Sequence, residues 1–254
     1  MAQILEELYS RKAMGKKSIA VLIDPDKVSD QASLARLLHL CVESKVDYFF
    51  VGGSLITTNT LSQVIHFLKT NGPIPVVLFP GSNMHLDASA DAILFLSLIS
   101  GRNPELLIGQ HVLAAPILRK SQLEVLPTGY MLVDSGRQTT VSYISNTTPI
   151  PSDKPEIGAC TAMAGEMLGL KLMYLDAGSG AMNPIPVKFI HQVRRSVSCP
   201  LIVGGGINSP EKAKAAIEAG ADVLVVGNGI EKNLSLLAEV SDVLQSFNSS
   251  LNVH

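Results

Sequence analysis

Apolar residues along this chain fall into short, mostly unbroken runs separated by longer stretches in which apolar and polar positions recur every three to four residues. The runs are SIAVLID (18–24), DYFFVGG (47–53), PVVLFPG (75–81), DAILFLS (91–97), YMLVDS (130–135), KLMYLDAG (171–178), PLIVGGG (200–206) and DVLVVGN (222–228). Continuous hydrophobicity of this kind marks strands covered on both faces, as in a parallel sheet. The intervening segments QASLARLLHLCVESK (31–45), TLSQVIHFLKTN (60–71), NPELLIGQHVLAA (103–115), EIGACTAMAGEMLG (156–169), PVKFIHQVRRSV (186–197) and SPEKAKAAIEAG (209–220) read as helices. The last begins on Asn208-Ser209-Pro210-Glu211, a cap residue followed by a first-turn proline, and ends on Gly220.

Eight strands alternating with helices over 254 residues predict an α/β fold, a (β/α)8 TIM barrel, as one domain spanning residues 1–254. One connection departs from the pattern. Between the third and fourth runs lies only the polar stretch SNMHLDASA (82–90), so the third helix is expected to be missing or replaced. The segment 135–153 reads as a long loop over the catalytic end, and MAQILEELYSRKAMGKK at the N-terminus as a short amphipathic helix without the order of a signal peptide.

Composition narrows the functional classes. A formal net charge of −2 gives no electrostatic footprint for nucleic acid or an anionic membrane. No apolar run approaches the roughly 20 residues of a transmembrane helix. The three cysteines, Cys41, Cys160 and Cys199, are scattered without ligand spacing, which suits a reduced, cytoplasmic chain. The histidines show no ligand spacing, there is no serine nucleophile elbow, and the inner end of the sixth strand carries no lysine for Schiff-base chemistry.

The candidate chemistry lies at the ends of the strands. Gly204-Gly205-Gly206 follows the seventh and Gly227-Asn228-Gly229 the eighth, with residues 230–233 available for a short helix. In this fold a phosphate commonly sits there on backbone N–H groups. Either cluster alone would equally suit a tight turn; two on consecutive final strands predict a phosphate cradle. The sixth strand ends in Tyr174-Leu175-Asp176-Ala177-Gly178-Ser179-Gly180. Alternation puts Tyr174 and Asp176 on one side and Leu175 on the other. Asp176 could accept a substrate hydroxyl's hydrogen bond or proton, or could cap the following turn. The first strand ends in Asp24-Pro25-Asp26-Lys27, a carboxylate pair suited to Mg2+ or simply a turn opener; Ser54, after the second strand, could ligate the ion or the phosphate.

The combination of DPDK after strand one, FVGGS after strand two, YLDAGSGA after strand six, IVGGGI after strand seven and VVGNGI after strand eight resembles the geranylgeranylglyceryl phosphate synthases and their bacterial heptaprenylglyceryl phosphate relatives. The similarity covers nearly the whole chain, and the missing third helix is a trait of that family. The resemblance implies a prenyltransferase of ether-lipid synthesis that joins sn-glycerol 1-phosphate to a polyprenyl diphosphate, releasing diphosphate. It implies Mg2+ held by Asp24 and Ser54. It implies glycerol phosphate bound by Tyr174, Leu175, Asp176, Ala177, Gly178, Ser179, Gly180, Gly205, Gly206, Gly227 and Asn228, with Asp176 and Tyr174 catalytic, and a homo-oligomer. Archaeal members carry a lysine where this chain has Leu22, and often glutamate where it has Asp176; both departures place it with the branch that includes bacterial members. Two alternatives share the cradle: another phosphate-binding barrel enzyme, such as a sugar-phosphate epimerase or isomerase, and a non-catalytic phosphometabolite sensor.

Overall fold

The computed structural model describes residues 3–227, 230 and 235–251. Eight parallel strands close into a barrel in chain order: β1 (Ser18–Ile23), β2 (Tyr48–Gly53), β3 (Val76–Pro80), β4 (Ala92–Leu98), β5 (Glu124–Leu132), β6 (Leu172–Asp176), β7 (Leu201–Gly204) and β8 (Val223–Val226), with β8 pairing back onto β1. Although the strands read as continuous apolar runs, their side chains divide cleanly. Ala20, Phe50, Val77, Leu94, Tyr174 and Ile202 fill the barrel, whereas Ile19, Val51, Leu78, Ile93, Leu175 and Val203 face the helices.

The helices are α1 (Ile4–Ala13), α2 (Gln31–Glu43), α3 (Leu61–Asn71), α4 (Gln110–Lys120), α5 (Thr140–Ile144), α6 (Pro155–Met167), α7 (Val187–Arg194), α8 (Pro210–Glu218) and α9 (Ser235–Ser250). Side-chain caps start α2 and α8, where the Asp30 carboxylate accepts from Ser33 N at 2.6 Å and Ser209 Oγ from Lys212 N at 3.4 Å, and Ser142 Oγ accepts from Thr139 N at 3.1 Å at the start of α5. The expected gap is present, because the β3–β4 connection holds turns and no helix.

Three elements depart from the sequence reading. β5 begins at Glu124, six residues before the apolar run, because Pro127, Thr128 and Gly129 interrupt the hydrophobic pattern while still pairing with β4 and β6. The helix expected over 103–115 is a π-helical turn (Glu105–Gly109) continuing into α4. The long loop 135–153 contains α5 and is tied to the end of β5 by a bridge between Val133 and Ile150.

The N-terminal helix has a specific job. α1 lies across the bottom of the barrel, with Ile4 and Leu8 inserted into the interior cluster. Its first amides, Ile4 N and Leu5 N, donate to the Glu124 carboxylate at 2.7 and 2.9 Å, which satisfies donors that a helix start leaves open. Nearby, Asp222 accepts from Lys17 Nζ at 3.1 Å and Arg194 Nη1 at 2.7 Å, and its carboxylate also takes Leu201 N. Truncating the plug exposes the barrel floor: Leu8→Ala is expected to lower unfolding stability by about 3 kcal/mol, read as a lower urea midpoint at unchanged slope.

Candidate functional site

At the C-terminal mouth, the loops after β6 and β7 are pressed together. A Cβ built on Gly205 would lie 2.7 Å from Ala177 N and 2.8 Å from Asp176 Oδ1, and one on Gly206 would lie 2.8 Å from Pro184 N. Both glycines have positive φ, +81° and +71°. Glycine is therefore required first by backbone conformation and by the neighbouring loop, and only then by any ligand. The consequence is chemical: consecutive N–H groups turned by such backbone form a concave anion nest. Among the described residues, the amides of Gly180, Gly205 and Gly206 donate no hydrogen bond. Gly227 ends β8 against Leu22 and its carbonyl accepts from Ile230 N at 2.9 Å. Asn228, Gly229 and residues 231–233, expected to complete the cradle and its short helix, lie outside the described residues.

Asp176 sits at the lip of this nest, 8% exposed. Its Oδ1 accepts from Gly178 N at 2.7 Å and its Oδ2 from the hydroxyl of Tyr130. Burial lifts its pKa above the ordinary carboxylate value, and the bonds from Tyr130 and Gly178 pull it part of the way back. As expected from alternation, Tyr174 projects to the same side, into the barrel. There it meets Tyr130 edge-on at 5.4 Å and Phe79 at 5.6 Å between ring centroids. Burial, followed by the Asp176 charge, holds both phenols well above the usual tyrosine range, so they remain proton donors. The side chains of Leu175 and Ala177 lie in the outer layer, under the helices. Tyr130 escaped the sequence reading; only the β5–β6 register, which pairs it with Tyr174, brings it to Asp176.

Asp24 and Asp26 divide their duties. The Asp26 carboxylate accepts from Thr57 N at 2.6 Å, Thr57 Oγ1 at 2.8 Å, Thr58 N at 3.1 Å and the Thr58 hydroxyl. Those bonds, led by the Thr58 hydroxyl and Thr57 amide, hold its pKa far below the usual range and commit it to the β2–α3 loop. The carboxylate-pair reading of this motif is corrected accordingly. Asp24 remains, a quarter exposed, with Lys27 Nζ at 3.1 Å from Oδ2 and Asp26 N at 3.2 Å from Oδ1. A Cβ on Gly53 would lie 3.9 Å from Asp24 Cγ, which sets the Gly53–Ser54 corner beside it. Among the described residues no three His, Cys, Asp or Glu side chains gather as a metal cage. One carboxylate and a neighbouring hydroxyl fit only an ion that takes its other ligands from water and substrate, which is the habit of Mg2+.

Where the third helix is absent, a groove opens between β3, β4 and α4, lined by Pro80, Leu86, Ile93, Phe95, Leu96, Leu106, His111 and Ala114 together with the polar Ser82, Asn83 and Gln110. His111 packs edge-on against Phe95 at 4.4 Å, and burial lowers its pKa, so an uncharged imidazole lines an apolar wall.

A closed eight-stranded parallel barrel with open loop amides after β6 and β7 and a buried acid beside them defines a (β/α)8 barrel of the kind in which phosphate sites commonly lie at that rim. Residues 12–245 match the PcrB family, and the chain belongs to that family. It is 58% identical over 244 residues to the geranylgeranylglyceryl phosphate synthase of Spirosoma linguale, covering 96% of this chain and 98% of that protein. The synthase of the same name from Pyrococcus horikoshii is 42% identical over 233 residues, 91% of each chain. The crystal structure of (S)-3-O-geranylgeranylglyceryl phosphate synthase from Thermoplasma acidophilum in complex with sn-glycerol-1-phosphate superposes with a TM-score of 0.90 at 30% identity, covering 97% of this chain and all of that one.

The raised pKa of Asp176 has a measurable sign. The folded state holds this proton more tightly than the unfolded chain, so stability falls as pH rises from the ordinary carboxylate value through the raised one. In urea melts across that window, Asp176→Asn is expected to lose less stability than the wild type. Tyr130→Phe, which removes a bond to the charged form, is expected to extend the window to higher pH. Parallel curves for all three proteins would show that Asp176 titrates as an ordinary carboxylate.

Proposed function

We propose that this protein is a prenyltransferase that joins sn-glycerol 1-phosphate to a polyprenyl diphosphate, forming an ether-linked prenylglyceryl phosphate and releasing diphosphate. The carrying observation is the buried Asp176 carboxylate beside amides that donate no bond among the described residues, in a chain closely similar to synthases of that name. Glycerol phosphate would rest its phosphoryl oxygens on the amides of Gly180, Gly205 and Gly206, placing its free hydroxyl near Asp176. The hydroxyl oxygen then bonds the terminal allylic carbon of the donor as the carbon–oxygen bond to diphosphate breaks, and Asp176 takes the hydroxyl proton. A carboxylate with a raised pKa is the better proton acceptor, and Tyr130 orients it by holding Oδ2. Tyr174, wedged among Phe50, Phe79 and Tyr130, floors the site.

Asp24 and Ser54 would hold Mg2+, which neutralises a diphosphate leaving group when bound. The largely apolar groove left by the absent helix would take the prenyl chain, and the names of the relatives support a geranylgeranyl donor. Leu22, at the position where archaeal members carry lysine, packs toward Gly227, and Lys27 is paired with Asp24. Unpaired thiols at Cys41, Cys160 and Cys199 support a cytoplasmic setting, and exposed Val112, Leu113 and Ile117 on α4 support self-association. No helix among the described residues is long and apolar enough to cross a membrane.

The test is incubation with sn-glycerol 1-phosphate, Mg2+ and prenyl diphosphates of increasing length, with butanol-extractable products resolved by mass spectrometry. An ether-linked prenylglyceryl phosphate is expected, and its absence for every donor overturns the reading. Asp176→Asn is expected to lower kcat by about 10²- to 10⁴-fold, the range for loss of a general base, with a smaller change in KM. Chelating divalent ions is expected to abolish turnover, and Asp24→Ala to raise the Mg2+ concentration needed for half-maximal rate.

A further inference from the structure

The loop after β5 brings one cation to the amide nest. Its path is fixed by short-range bonds: Gly136 N donates to Asp134 Oδ1 at 2.9 Å, and both Asn183 N and Asn183 Nδ2 donate to Ser135 O, at 3.1 and 3.2 Å. Asn183 belongs to the loop after β6, so the two loops are laced together at this point. Farther along, Thr139 closes on Gly178, where a Cβ would lie 2.7 Å from Thr139 Oγ1. Between these anchors stands Arg137. A Cβ built on Gly180 would lie 2.9 Å from Arg137 Nη2, so the guanidinium hangs directly over the last glycine of the sixth-strand motif.

Two further observations give that position meaning. Among the described residues the Arg137 guanidinium has neither an ion pair nor a hydrogen bond, whereas Arg11, Lys17, Lys27 and Arg194 are each paired with a carboxylate. The nest also has an electrostatic problem. Asp176 Oδ1 lies within 2.8 Å of where a Cβ on Gly205 would be, so an anion resting on the Gly205 and Gly206 amides faces a carboxylate at short range. Neutral amides offset that repulsion only in part, and a guanidinium over the far side of the nest supplies the missing charge.

We propose that Arg137 is a substrate-binding residue that caps the nest and grips the phosphoryl group of a phosphate monoester through its guanidinium fork. The planar fork suits two oxygens of one phosphate, with the Gly180, Gly205 and Gly206 amides taking the rest. The inference deepens the function proposed above and rests on it for the identity of the monoester, glycerol phosphate. Its charge logic holds for any phosphate monoester.

The variants are R137A and R137K, each an exposed substitution on a loop held by other bonds. Thermal unfolding is followed with inorganic phosphate or sn-glycerol 1-phosphate added, and steady-state kinetics with each substrate varied in turn. The wild type is expected to gain stability from either ligand by linkage, and R137A to need about 10- to 100-fold more ligand for the same gain, the loss expected for a charge-assisted pair. The KM for sn-glycerol 1-phosphate is expected to rise by the same factor while that for the prenyl diphosphate stays within about twofold, and R137K to recover part of the loss. An unchanged ligand response in R137A, a wild type that neither ligand stabilises, or an R137K as weak as R137A overturns the proposal. So does a loss confined to the prenyl diphosphate, which would assign the arginine to the donor's diphosphate. A wild type that binds the monoester through Arg137 yet forms no ether product leaves this inference standing and removes the prenyltransferase reading.

Discussion

A carboxylate buried at the mouth of a barrel is expensive, and the arrangement around Asp176 is organised to bear that cost. Desolvation alone would drive the group toward its neutral form; one phenolic hydroxyl and one backbone amide recover part of what water would have given. Each of those donors depends on something larger. Tyr130 reaches Oδ2 because β5 and β6 pair in the register that sets Tyr130 opposite Tyr174. The Gly178 amide reaches Oδ1 because the chain turns at positive φ immediately after the strand. The aromatic layer beneath, built from Phe50, Phe79, Tyr130 and Tyr174, keeps water from the carboxylate and holds the phenol in place. The barrel geometry thus sets both the desolvation that raises the pKa of this acid and the two donors that lower it again.

The features legible in the sequence were those written locally. Apolar runs covered on both sides announced parallel strands, SNMHLDASA announced a connection too short for a helix, and glycines after the last strands announced the working end of the barrel. What stayed hidden depends on pairing between distant segments. Glu124 looks like a solvent residue until β5 is seen to start there and to receive the first turn of α1, about 120 positions away in sequence. Tyr130 looks like one more strand aromatic, and Arg137 like one loop cation among many, until register and loop path place them beside Asp176 and Gly180. Asp26 misled for the opposite reason. Its spacing from Asp24 suggests a shared ion, yet four donors from Thr57 and Thr58 use its lone pairs.

The glycine clusters carry a related lesson. Their sequence pattern pointed to a ligand, while the contacts show neighbouring loops so close that any side chain at Gly205 or Gly206 would strike backbone. Crowding and positive φ occur together at these two glycines, and successive amides in such backbone form a concavity suited to an anion. Packing between the β6 and β7 loops therefore fixes the backbone of both glycines by itself.

The two ends of the barrel treat polar groups in opposite ways. At the bottom, Asp222 holds Lys17, Arg194 and the Leu201 amide, Asp47 holds Arg11 and the Ile19 amide, and Glu124 holds the start of α1. These are closed sets in which each carboxylate is answered by donors from other elements, and they lock a plug and several strands together. At the top, the Gly180, Gly205 and Gly206 amides and the Arg137 guanidinium find no acceptor among the described residues, and the principal acidic group beside them is held with a raised pKa. Carboxylates closed by donors at one rim and amides left open at the other, among the described residues, cannot come from strand geometry, which is common to both. They come from the loops, and the upper loops are set by glycines of positive φ and by lacing such as that of Asn183 to Ser135. That asymmetry separates carboxylate sets that lock elements together from a rim where the amides of Gly180, Gly205 and Gly206 stay open among the described residues.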